Sequence, residues 1–233
     1  MTIVFYDLKG RDGIRYSPYG WRIRYALAHK GLQVEDVAVG FTEKEKIAFS
    51  GQQLVPVIVD RNTGGKVVFD SHQIACYLDD AYPEKPLFGS DAARGAARFI
   101  HNWVGLTFFP GVIGLIILDL FARVRDADQA YFRESREKRF GKRLEDIQAG
   151  REQRLPAFRA SLEPLRILLK QQKFVCGEAP AYADYLLFGS FQWPANASDF
   201  EVLATDDPIY AWRQRMGDLY GGLAQRAKYG PND

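Results

Sequence analysis

The chain has 233 residues, room for one large domain or two small ones. Hydrophobic residues at 47% and aromatics at 14% exclude the composition of a disordered chain. Lys+Arg 31 against Asp+Glu 29 leaves a net charge of +2, which argues against a surface built to hold nucleic acid or anionic lipid. Two cysteines exclude a disulfide framework and a four-thiolate zinc site, and three scattered histidines offer no metal set, so no metal is expected. The opening Met1-Thr2-Ile3-Val4-Phe5-Tyr6-Asp7 has no basic lead before its first acid, unlike a signal peptide. The expectation is a soluble cytoplasmic protein with reduced thiols.

Taken in chain order, Ile3-Val4-Phe5-Tyr6 is a short β-rich run followed by a Gly- and charge-rich loop. Ser17-Pro18 opens a helix that Gly31 stops, Gln33–Val39 reads as a second strand, and Val55–Asp60 and Lys66–Asp70 read as a hairpin around Arg61–Gly65. A helix follows from Ser71 to Ala81. Strand, helix, strand, hairpin and helix build a small sheet with helices against it, an α/β unit of thioredoxin-like size. Tyr82–Pro86 is the natural boundary, because Pro83 and Pro86 forbid a continuous helix. Beyond it helical periodicity dominates: Asp91–Phe109, Val112–Arg125, Asp128–Lys142, Leu155–Lys170, Tyr182–Trp193 and Pro208–Leu219. The charge-dense stretch 123–154 mixes both signs at helical spacing and reads as a solvated face. Cys76 and Cys176 sit among apolar neighbours and are expected to be packing residues.

The twenty residues from Phe99 to Leu118 carry no formal charge, long enough to cross a bilayer. They also hold His101, Asn102, Thr107, Pro110 and three glycines, so two broken helices buried in protein, with a wall for an apolar pocket, are expected.

Three motifs carry chemistry. In Ser17-Pro18-Tyr19-Gly20-Trp21-Arg22, serine is a favoured N-cap and proline belongs at the first helical position. The same geometry places a hydroxyl where the helix N-terminus favours an anion. Its oxygen accepts a capping bond while its hydrogen is free for a bound thiolate. In Leu54-Val55-Pro56-Val57, a cis bond before Pro56 would turn the Val55 backbone N–H and C=O toward a ligand's peptide groups. In Phe69-Asp70-Ser71-His72, a strand runs directly into a helix. The acid and hydroxyl there serve either as a cap or as a zwitterion clamp, with Ser71 and the helix N–H groups holding a carboxylate and Asp70 an ammonium.

In their order and spacing these motifs resemble the N-terminal domain of a glutathione transferase, and the helical remainder is similar to that superfamily's second domain. Phe174–Tyr185 resembles the stretch that opens the buried core helix of that domain, except that Ala181 stands where the family has Ser or Thr capping with the acid at Asp184. The lost hydroxyl should cost about 1 kcal/mol. Ser17–Leu27, Arg143–Glu152 and Asp70-Ser71 are similar to bacterial glutathione-dependent β-etherases and fungal etherase-like transferases of the serine type. The chain stops at Asp233 without the long C-terminal extension of some β-etherases, so a more open cleft is expected.

The resemblance implies an α/β thioredoxin-like glutathione-binding domain over 1–86, an all-α domain over 91–233, and a homodimer. It implies Ser17 as the catalytic residue and Gln53, Val55, Pro56, Asp70 and Ser71 as the glutathione site. Tyr19, Trp103, Leu106 and Phe109 would wall the pocket for an aromatic partner. Glutathione is the implied co-substrate, with no nucleic-acid or membrane partner. A thiol near pKa 8.5 is only slightly ionised at neutral pH, and a hydrogen bond to its thiolate, worth about 1.5–3 kcal/mol, lowers that value by about one to two units. The activated sulfur would cleave an aryl ether. A general detoxifying transferase, a cis-trans isomerase of the maleylacetoacetate type and a non-catalytic carrier of aromatic compounds stay open beside it.

Overall fold

The computed structural model describes residues 2–230. Both ends used in the sequence reading, Met1 and Asp233, lie outside the described residues. Alternating apolar residues give β1 (Thr2–Leu8), β2 (Gln33–Val39), β3 (Val57–Asp60) and β4 (Lys66–Phe69). They form one sheet in the order β2-β1-β3-β4. β1 runs parallel to β2, with Tyr6 beside Val37, and antiparallel to β3, with Phe5 beside Ile58. The β3–β4 hairpin pairs Ile58 with Val68. β3 starts two residues later than predicted because Pro56, which follows a cis bond to Val55, has no N–H to give the ladder. A 3-10 segment, Lys44–Ser50, was not foreseen.

Helix α1 (Pro18–Lys30) ends at Gly31 in the left-handed conformation. It presses on β1 closely enough that a Cβ on Gly20 would meet Asp7 Oδ1 at 1.8 Å. Asp7 is buried, and burial raises its pKa against the pull of Arg24, which bridges it at 3.1 Å. Helix α2 (Ser71–Ala81) follows the hairpin. The connection is pinned: Lys30 Nζ donates to Asp79 at 2.9 Å and to the Tyr82 carbonyl at 2.7 Å.

The second unit contains α3 (Asp91–Trp103), α4 (Phe109–Arg123), α5 (Asp126–Phe140), α6 (Leu144–Gln148), α7 (Arg151–Ser161), α8 (Glu163–Gln171), α9 (Tyr182–Ala197) and α10 (Pro208–Arg226). The expected break near Pro110 is absent. α3 and α4 form one continuous helix, Asp91–Arg123, and the irregularity is a π turn at Val104–Phe108 just before the proline. The wider turn places Pro110 at the start of α4, where its missing N–H and its ring are accommodated. This helix is long and apolar enough to cross a bilayer, and 44% of its most apolar window is buried in protein, including Phe108, Val112, Leu115 and Ile116. The predicted helix 155–170 is two, α7 and α8, parted at Leu162. α10 departs from helical angles at Leu219–Gly222, where its predicted end lay.

One hydrophobic core spans both units, joining Ile3 and Phe5 of the sheet to Phe188 and Trp212 of the helices. With Ala181 offering no hydroxyl, Asp184 keeps the other half of the cap: its carboxylate accepts from the backbone N–H groups of Val175 (2.7 Å), Cys176 (3.1 Å) and Ala181 (3.3 Å), and from Trp212 Nε1 (3.0 Å). Of the two cysteines expected to be buried packing residues, Cys76 is half-buried and packs against the core, whereas Cys176 is exposed in the tight turn between Phe174 and Gly177.

α9 crosses α1 at Gly189, whose Cβ would sit 2.4 Å from the Pro18 carbonyl oxygen and 3.0 Å from the Arg22 nitrogen. Both atoms are backbone and cannot give way. Gly189→Ala should therefore lose about 1–3 kcal/mol of stability, read as a lower urea midpoint at unchanged slope.

Candidate functional site

Ser17 stands at the head of α1 with its Oγ accepting the Gly20 N–H at 3.2 Å. The residue is 5% exposed, and Oγ accepts only this bond among the described residues, so its proton is free to donate. The approach to it is fixed from both units: Trp21 Nε1 and Asn196 Nδ2 both donate to the Arg15 carbonyl, at 2.9 and 2.8 Å. A cavity of about 440 Å³ opens beside Ser17. Ser17, Tyr19, Gln53, Val55 and Phe109 line it, as the sequence led us to expect. Tyr19 meets Phe109 edge-on at 5.8 Å, and Phe109 meets Trp193 at 5.3 Å.

Two predicted wall residues are elsewhere. Leu106 is 81% exposed and Trp103 is packed against the core outside the cavity. The extra residue in the π turn shifts the helical phase, so that Gly105, Phe109, Pro110 and Ile113 face the cavity instead. Pro56 is buried behind Val55. Asp70 and Ser71 do not line the cavity; they form a separate cluster at the head of α2.

That cluster is strained and incompletely paired. Asp70 has φ 64° and ψ 128°, a conformation that costs a non-glycine residue roughly 1–3 kcal/mol. Its Oδ1 caps α2 by accepting from His72 and Gln73 N–H at 2.9 and 3.1 Å, while Oδ2 accepts no bond among the described residues. Ser71 is 2% exposed, and its Oγ has no partner although its carbonyl accepts from Tyr182 Oη at 3.1 Å. A buried orphan hydroxyl at a helix N-terminus, beside an acid with one idle oxygen, suits a ligand bearing both a carboxylate and an ammonium.

Sequence reasoning missed five groups. Arg22, one turn into α1, is 1% exposed; it donates to Ser190 Oγ at 3.2 Å and lies 3.4 Å from His101 Nδ1. Burial holds its pKa down, and Tyr182, Tyr19 and Asp70 oppose that. Tyr16, Arg136 and Arg139 line the cavity together with Lys44. The signal for α5 was Phe132-x3-Arg136-x3-Phe140, a cation between two aromatics on one four-residue stripe.

A family model described as glutathione S-transferase, N-terminal domain, matches residues 16–81, and one described as glutathione S-transferase, C-terminal domain, matches residues 96–207. Glutathione S-transferase omega-1 of Mus musculus is 28% identical over 203 residues, 87% of this chain and 74% of that protein. Among solved structures, a glutathione transferase from Phanerochaete chrysosporium superposes with a TM-score of 0.75 at 29% identity, covering 98% of this chain and 96% of its own. A glutathione S-transferase of Ceriporiopsis subvermispora in complex with glutathione shares the fold, with a TM-score of 0.74 at 23% identity over 97% and 96% of the two chains.

His72 and His101 flank the Asp70–Arg22 region, their rings 6.3 Å apart. Both are held below the ordinary imidazole value, first by burial, then by Arg98 at His72 and by Arg22 at His101. With a depressed folded value, the unfolded chain binds more protons as pH falls below about 6.5, so stability contributed here is lost from that point down to the folded values. Urea midpoints taken between about pH 7.5 and pH 5.5 should fall less steeply in His101→Gln than in the parent chain. Equal slopes would show that His101 titrates as it does unfolded.

Proposed function

Because the chain belongs to the glutathione S-transferase superfamily, we propose that Ser17 activates the thiol of glutathione for attack on an aromatic electrophile in the adjoining cavity. The observation that carries this reading is the Ser17 hydroxyl: its oxygen is satisfied by Gly20 N–H and its proton is free, at the mouth of a helix and on the wall of an aromatic cavity. A sulfur lodged there gains one charge-assisted hydrogen bond, worth about 1.5–3 kcal/mol, and up to about 1 kcal/mol from the helix terminus. Both favour thiolate over thiol. The orphan Ser71 Oγ and the idle Asp70 Oδ2 fit the zwitterionic γ-glutamyl end of glutathione, and Val55 and Gln53 line the cavity that holds Ser17.

The substrate class we propose is the β-aryl ether. The thiolate forms a carbon–sulfur bond at the carbon bearing the ether oxygen. The carbon–oxygen bond breaks, and the phenolate departs with the electron pair to be protonated by solvent. Support comes from the cavity, whose Tyr19, Phe109, Phe140 and Trp193 rings and volume of about 440 Å³ suit aromatic rings. A homodimer belongs to the same proposal, since Phe99 at 73% and Leu106 at 81% exposure leave an apolar helix face to be covered.

Ser17→Ala should leave glutathione bound and raise its thiol pKa by about one to two units, followed by ultraviolet titration of the bound thiolate. An unchanged value would remove Ser17 from the chemistry. Ser71→Ala, and Asp70→Asn (which keeps the cap), should each weaken glutathione binding by about tenfold or more in calorimetry. Purified protein with glutathione should release phenol from a β-aryl ether dimer faster than glutathione alone. If chromogenic aryl halides react while ethers do not, the general transferase takes its place; if nothing reacts but aromatics bind, the carrier does.

A further inference from the structure

The cavity beside Ser17 has a charge pattern that conjugation to a neutral aromatic does not use. Its lining includes three cations, Lys44, Arg136 and Arg139, and no aspartate or glutamate. Arg136 is the half-buried one of the two arginines, Arg139 being exposed. Several other arginines nearby are paired: Arg125 with Asp128 at 2.7 Å, Arg133 with Glu145 at 2.9 Å, and Arg151 with Asp119. Arg136 makes no ion pair among the described residues. It donates to Ser135 Oγ at 2.8 Å and lies over the Phe132 and Phe41 rings, at 4.5 and 5.0 Å. Those rings cover its guanidinium plane and leave its edge N–H groups for an acceptor.

A second orphan shares the cavity. Tyr16 is 1% exposed and its hydroxyl has no hydrogen-bond partner. Arg136 acts electrostatically on it, and burial keeps the phenol protonated by raising its pKa well above the usual value. The nearest acid cannot serve either group. Asp128 is already taken by Arg125, by the Thr42 N–H at 2.9 Å and by Thr42 Oγ1 at 2.6 Å. Burial, then Arg136, holds Lys44 below its ordinary value against the pull of Asp128, and burial, with Arg139, does the same at Arg136 against Tyr131 and Tyr16.

We propose that this cavity selects aromatic carboxylates, the ligand's rings lying among Tyr19, Phe109 and Trp193 while its carboxylate is shared by the Arg136 guanidinium and the Tyr16 hydroxyl. The inference rests on the reading of the cavity as the electrophile site and narrows it to acids. A carboxylate supplies what both orphans lack: negative charge for the guanidinium and an acceptor oxygen for the phenol. An uncharged ring fills the same volume and leaves both unsatisfied, which is the basis for discrimination.

The test is calorimetry of the full chain, without glutathione, against 2-naphthoate and its uncharged isostere 2-naphthamide. The parent should bind naphthoate at least about tenfold tighter. Arg136→Met should abolish the preference by weakening naphthoate alone, Arg136→Lys should keep part of it, and Tyr16→Phe should reduce it severalfold. Equal binding of the two ligands by the parent chain overturns the proposal without recourse to any variant, as does a preference that survives Arg136→Met. Naphthoate should still bind with glutathione saturating; displacement by glutathione would assign Arg136 to the tripeptide's own carboxylate and overturn it too. Thiol titration of bound glutathione uses neither probe, so failure of the Ser17 reading and failure of the acid preference are separately visible.

Discussion

Where α9 passes beneath the start of α1, the Gly189 backbone lies so near the Pro18 carbonyl that no side chain fits between them. Everything at the site is referred to that crossing. The same helix sends Asn196 to the Arg15 carbonyl, fixing the loop that delivers Ser17, and Tyr182 to the Ser71 carbonyl, fixing the head of α2. One rigid rod thus sets the spacing between the free hydroxyl at Ser17 and the orphan hydroxyl at Ser71. The rod itself is anchored by Asp184, whose carboxylate collects three backbone N–H groups and the Trp212 indole. Burial raises the Asp184 pKa, and those four donors offset the cost. A site built across two units stays ordered because its two ends hang from one buried helix.

The two hydroxyls divide their labour differently. Ser17 is useful because its oxygen is already satisfied: the Gly20 N–H fixes its rotamer, which directs the proton outward. The Ser71 hydroxyl is not satisfied, and on the proposed reading a bound carboxylate completes a bond that the folded chain lacks. Between them Asp70 is held in left-handed backbone by its own two capping bonds. Strain of that kind persists where surrounding contacts over-determine the backbone, and here it leaves one carboxylate oxygen idle beside the helix.

Local chemistry made much of this legible beforehand. Ser17-Pro18 and Asp70-Ser71 are helix starts written in adjacent residues, and each appears where the sequence places it. β2 was read to the residue because its alternation is bounded by Gly31 and Gly40. The cavity wall was harder. Phe109 was found and Leu106 misassigned because a single π turn moves the helical phase, and nothing in Val104–Phe108 announces the extra residue. Asp184 was known only as half of a missing cap; its four donors come from three segments of chain that no local pattern joins.

Arg136 shows most clearly where sequence reading stops. Its neighbours on α5 alternate in sign, and Arg133 does lie on a solvated face, bridged to Glu137 and Glu145. Three residues later the same helix turns a cation inward between Phe132 and Phe41. A net charge of +2 conceals this, since an average over 233 residues says nothing of a cavity lined by three cations and no acid. Fields in such a recess are focused by its low-dielectric walls. The proposal reaches back to the chemistry, because Ser17 and the three cations line one cavity. On that reading, one electrostatic arrangement favours the ionised nucleophile and selects its partner.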